Sequence, residues 1–295
     1  MKSTWFALSA FLLFVFFTAC GPKSREIIDE EQFGAYWYQG KAEINVFDLK
    51  QSRYGEEREG KTVMIFVTED FSRRKQVKLD DPESAGGDAR KVLKLNMTRD
   101  FETGIYPYHT MLSVFTPVQD DVPAFKITHS VSEWCGQTFA QLNWKNAAYQ
   151  AKLFSYFESE GDQELKVDAS SEDEIFNLIR LNPELVPKGN IRLIPSLTFQ
   201  RFAHIPFKAY RAEISLEELG QQTNQFVIEY PELNRTVKIQ FIKTFPFEIV
   251  SWEEIRISPS GREERSLAIR KEKMLIDYWT KNGVEDEWLR KQLGL

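Results

Sequence analysis

The sequence predicts a mainly β fold: an antiparallel sandwich or a curled half-barrel sheet, with a short connector helix and a C-terminal helix. Three observations carry this. Apolar residues recur with period two along successive short segments, turn residues separate those segments, and helical spacing is confined to a stretch near 171–182 and to the C-terminus. The chain should therefore bury one face of each strand and expose the other.

The first twenty residues do not belong to that fold. "MKSTWFALSAFLLFVFFTAC" has one basic residue, Lys2, an apolar run from Trp5 to Phe17, and small Thr18 and Ala19 before Cys20. This is the layout of a secretory signal peptide over 1–19, too short for a spanning helix, which needs about 20 apolar residues. The stretch resembles the bacterial lipobox. That resemblance implies cleavage before Cys20 and lipidation of its thiol and new amino terminus. Gly21 after the cysteine resembles lipoproteins sent to the outer membrane, so the expected location is the outer membrane, lipid-anchored and facing the periplasm. Acyl chains at about 0.8 kcal/mol per buried methylene make such an anchor durable.

From 20 to 35 the chain is charged and little patterned, and reads as the lipidated cysteine and a tether. A β domain over 36–281 follows, as one unit or as two β halves joined near 169–190. "KAEINVF" alternates Ala42, Ile44 and Val46 against Lys41, Glu43 and Asn45, and "TVMIFVTEDF" from Thr62 is a deeper apolar strand. The charged "QSRYGEEREGK" between them reads as a hairpin connection. Strand patterns continue at "KVLKLNM", "TMLSVFTPV", "AFKITHSVS", "TFAQLNW" and "YQAKLFSYFES", then a turn at 159–164 and "LKVDA". Ser171 and Glu174 form a capping-box pattern ahead of Ile175, Leu178 and Ile179, and Asn182-Pro183 ends that helix. "IRLIPSLTFQRF", "KAYRAEISL", "QFVIEY", "TVKIQF", "FEIVSWEEIRI" and "ERSLAIRKEKML" read as strands. The tail over 282–295 reads as a helix, acidic first and basic last.

Net charge is −6, with no basic stripe, which excludes nucleic acid as the expected partner. Only two cysteines occur, so with Cys20 lipidated, Cys135 has no disulfide partner. "SEWCGQTF" shares Trp-Cys-Gly with thioredoxin-like redox loops but lacks the second cysteine, and Cys135 reads as buried and inert at a strand start. Of the three histidines, His129 shares parity with Ile127 and reads as partly buried and hydrogen-bonded, and His204 has no metal-type spacing. His109, after "GIYPY", reads as a loop residue and is the candidate for catalysis. No phosphate-cradling glycine loop, no nucleophile elbow and no HExxH is present, and "ESEGDQE" lacks calcium-loop spacing. Neither a metal site nor a cofactor is expected.

"YWYQGKAEINVFDLKQSRYGEEREGKTVMIFVTEDFS", "TGIYPYHTMLSVFTPV", "EWCGQTFAQLN", "SYFESEGDQE" and "IEYPELNRTVKIQF" together resemble a family of uncharacterised bacterial outer-membrane lipoproteins, over about 36 to 281. Members are sometimes labelled "septum formation inhibitor Maf". The Maf pyrophosphatases are cytoplasmic α/β proteins with a Ser-Pro-Arg-Arg motif, which this sequence lacks. The resemblance thus implies an envelope location and no catalytic residues. Three functions fit: a non-catalytic β domain binding an apolar or amphiphilic ligand or an envelope partner; a hydrolase acting on glycans or peptidoglycan; and a structural component of an envelope complex. An aromatic content of 14% suits a lined groove as well as a core.

Overall fold

The computed structural model describes Arg25 and residues 29–295; the signal peptide over 1–19 and the lipidation residue Cys20 lie outside the described residues. A first meander runs β1 (Ala42–Arg53), β2 (Glu56–Ser72), β3 (Ala89–Thr103), β4 (Tyr106–Pro117), β5 (Lys126–Glu133), β6 (Gly136–Lys145), β7 (Ala148–Phe154) and β8 (Gln163–Val167). The second comprises β9 (Ser170–Ser171), β10 (Gly189–Ile194), β11 (Tyr210–Glu218), β12 (Thr223–Tyr230), β13 (Arg235–Ile242), β14 (Ile249–Ile257) and β15 (Glu263–Ile276). Four helices are short: α1 (Glu30–Trp37), α2 (Ile175–Leu181), α3 (Leu197–Ala203) and α4 (Trp288–Gln292).

All the strands belong to one sheet, not to two packed layers. Its order is β8-β7-β6-β5-β4-β3-β2-β1-β15-β14-β13-β12-β11-β10-β9, antiparallel except for the short β9–β10 pair. β1 and β15 pair at the middle, and the edges β8 and β9 are joined by only Asp168 and Ala169. Flat, such a sheet would span about 70 Å at the usual strand spacing. Three peptide steps from Val167 to Ser170 reach only about 11 Å. The sheet therefore bends round until its edges approach, and it stays open because they do not pair.

The inner face encloses α2 and α3. A single apolar cluster joins Leu95 and Val114 of the first meander, Ile179 of α2, and Ile228 and Ile239 of the second, so the two β halves share one core. Every residue of α2 is buried, as befits a helix inside a wrapped sheet. Ser171 caps the turn before it by accepting from the Asp173 N–H, whereas Glu174 turns inward and does not complete the capping box. Asn182 caps the Pro183 turn that follows.

Several expectations change at this point. The segment 51–61 is not a loop: β1 and β2 run through it, leaving only Tyr54-Gly55, both at positive φ, as the two-residue turn favoured by strand twist. The tether is shorter than 20–35, because α1 buries Phe33 and Trp37 in the core and Arg25 is buried too. "IRLIPSLTFQRF" is not one strand; Pro195-Ser196 breaks it, and α3 follows. In β1 both faces are buried: Glu43 and Asn45 face the interior, while Ile44 and Val46 pack under the C-terminal segment with Met274, Ile276, Tyr278 and Leu293. That segment is the expected C-terminal helix, realised as α4 and two short turns. Among the described residues no helix is long and apolar enough to cross a membrane.

Candidate functional site: a cavity beside helix α3

The β1–β2, β3–β4, β5–β6 and β7–β8 turns share one end of the sheet, the tip end. The β2–β3, β4–β5 and β6–β7 connections form the opposite, base end. At the tip end a cavity of about 350 Å³ opens between α3 and the inner faces of β5 to β8. Ala140, Leu153, Leu165, Leu197, Ile205 and Phe207 give it apolar walls. Polar side chains share the lining, among them His129, Gln200, Arg201, His204 and Glu160. This combination is that of a small-molecule site.

The sheet's curvature puts α3 there, and a buried carboxylate fixes its start. The Leu197 N–H donates to Asp173 Oδ2 at 3.0 Å, and burial pushes the Asp173 carboxyl up to about 7. Gln200 donates from Nε2 to the Pro195 carbonyl at 2.7 Å, and its Oε1 is buried and accepts no hydrogen bond. Gln200 itself is among the residues that line the cavity. His204 ends α3 in the left-handed region, with Nδ1 2.6 Å from Glu160 Oε1. Arg201 lies 3.8 Å from the same carboxylate and 4.2 Å over the Phe157 ring. These contacts latch the β7–β8 hairpin onto α3 over the cavity mouth.

His129 lies at the cavity wall with Nε2 3.1 Å from Thr198 Oγ1. Burial, aided by Arg99 and Arg201, lowers its pKa to about 3, so the ring is neutral near neutral pH and is a poor base. Ser155 donates to Glu160 Oε2 at 2.6 Å, so the carboxylate, not the imidazole of His204, sits between hydroxyl and ring. A nucleophilic relay needs the opposite order.

His109 is not part of this site. It lies on β4 rather than in a loop, points outward, and pairs Nδ1 with Asp100 Oδ1 at 2.7 Å. Cys135 is exposed in the β5–β6 turn rather than buried, and Glu133 raises its pKa through a hydrogen bond. The residues missed by sequence reasoning are Gln200, Arg201 and Glu160 around His204. Reading α3 as a strand hid the helical spacing of Arg201 and His204, and nothing local ties Glu160 to them.

Beneath the cavity the interior is ionic. Glu43 is held by Arg180 at 2.5 and 2.7 Å and by the Tyr36 hydroxyl; burial alone would raise its pKa, but Arg180 brings it down to about 2. Arg235 binds Glu172 through both nitrogens and Glu254 through one. Among the described residues no group of three or more His, Cys, Asp or Glu is placed to hold a metal ion.

Fold and cavity together define a mainly β, single-sheet protein with a walled cavity beside an enclosed helix. No family model matches the chain, and no curated protein matches it. Among solved structures it is similar to a beta-barrel-like protein of domain of unknown function DUF1849 from Brucella abortus, at 9% identity and a TM-score of 0.49, covering 80% of this chain and 98% of that one. A likeness at that level says nothing of function.

Proposed function

We propose that this is a lipid-anchored cell-envelope protein whose β domain binds a small amphiphile, without catalysing a reaction on it. The single observation that carries the reading is the α3 cavity: apolar walls, with polar side chains of α3 and the β7–β8 turn among the lining. A ligand with an apolar body and one polar head suits both parts of the lining. The neutral His129 and the order of Ser155, Glu160 and His204 weigh against the hydrolase reading. The anchor rests on the lipobox-like end at Cys20, and changing Cys20 to Ser should release the protein from membranes.

The cavity is tested by native mass spectrometry with organic extraction on the chain from residue 21. Ala140 faces the cavity from β6, so Ala140→Phe fills it. The unaltered protein should carry, or take up, an amphiphile such as a fatty amide that Ala140→Phe does not. Equal uptake by both, or none by either, removes the reading. A second reading, contact with an envelope partner, is favoured by the exposed Tyr54, Ile105, Trp134 and Tyr156, one on each successive turn of the tip end.

A further inference from the structure

We infer that the base end of the sheet is the face apposed to the membrane, so that the cavity mouth points away from the bilayer holding the protein. The inference rests on the anchor proposed at Cys20 and adds a surface and a partner, the lipid headgroup layer, to it. Arg25 is the observation behind it. Its N–H donates to the Gln119 carbonyl at 2.6 Å, and its guanidinium donates to the carbonyls of Pro117 at 2.6 Å and Val122 at 2.7 Å. Glu174 lies 3.8 Å away, with both side chains almost wholly buried. Pro117 ends β4, and Gln119 and Val122 belong to the β4–β5 connection, all at the base end.

Chain length does the rest. Five peptide steps lead from Cys20 to Arg25, which limits the acylated residue to about 18 Å from that latch. β4 alone has 12 residues, so about 40 Å of strand separates the latch from the tip end. The cavity, with His204, Glu160 and Phe154 at its rim, is at the far end. A domain tied so close to one end cannot be turned over by a loose linker. It presents the exposed Tyr54, Ile105, Trp134 and Tyr156, together with the mouth, towards whatever lies across the compartment from its own membrane.

The sequence supplies a reporter. Once Cys20 is acylated, Cys135 at the tip end is the remaining thiol, and it is exposed. The full, lipidated chain is placed in phosphatidylcholine vesicles carrying a headgroup acceptor dye, with a donor dye on Cys135. A second protein carries Cys135→Ser and Lys145→Cys, which moves the donor to the exposed base-end turn of β6–β7. Energy transfer to the bilayer should be several-fold stronger from position 145 than from position 135. Equal transfer, or stronger transfer from 135, on vesicle-bound protein overturns the orientation and leaves the anchor intact. A protein that stays off the vesicles and shows no acyl mass removes the anchor, and this inference with it.

Discussion

Replacing Arg180 by Met would leave the Glu43 carboxylate wholly buried with only the Tyr36 hydroxyl and the Asn45 amide as donors. Losing one partner of such a pair costs about 3–5 kcal/mol, whereas replacing both with apolar or neutral groups is often close to neutral. Arg180→Met should therefore unfold at much lower denaturant, and Glu43→Gln in the same chain should recover most of the loss. Two other buried groups pull stability in opposite directions with pH. His129 has a folded pKa near 3, below its usual 6.5, so its contribution is present above 6.5 and is lost as pH falls towards 3. Asp173 has a folded pKa near 7, above its usual 3.8, so its contribution is present below 3.8 and is lost as pH rises through 7. Between about pH 4 and 6.5 the two offset each other. Unfolding midpoints of His129→Gln should accordingly rise as pH drops through that window, and those of Asp173→Asn should fall faster than in the parent. Parallel profiles for all three would show that neither group is linked to folding as described.

At the scale of the element, the β7–β8 hairpin is held over the cavity by Glu160 against His204 and Arg201, a contact that is partly solvent-exposed. Such pairs contribute little to global stability, typically under about 1 kcal/mol, but they decide local opening. Glu160→Ala should leave the melting transition nearly unchanged while amide exchange across 155–162 rises. Unchanged exchange would mean that Phe157 packing, not the ion pair, closes the mouth. Most strands were legible from period-two alternation because one face of each meets water. β1 misled because Ile44 and Val46 are covered from outside by the C-terminal segment, and the polar residues between them face an ionic interior. α3 misled because Leu197 and Phe199 alternate over a length that suits either element, and a carboxylate from before α2 caps it, which no local pattern announces. The cavity was illegible for the same reason: its polar residues come from β5, the β7–β8 turn and α3, far apart in sequence and joined only by the bend of the sheet.

The molecule as a whole is one cooperative body, since a single apolar cluster runs through both meanders and both inner helices. Removing residues 277–295 should uncover Ile44, Val46, Val63 and Ile65 on the outer face, lower the melting temperature, and make the protein associate in gel filtration. A monomeric truncated chain would show that this strip is not what the tail protects. The pairing of β1 with β15 carries a further consequence, in time rather than in space. Ala42 has no partner on that side until Ile276 has been made, so the seam at the centre of the sheet is the last strand pairing a growing chain can form. The meander from β1 to β8 can assemble early, but β1 remains a bare edge, open to pairing with a neighbouring chain, until synthesis is almost complete.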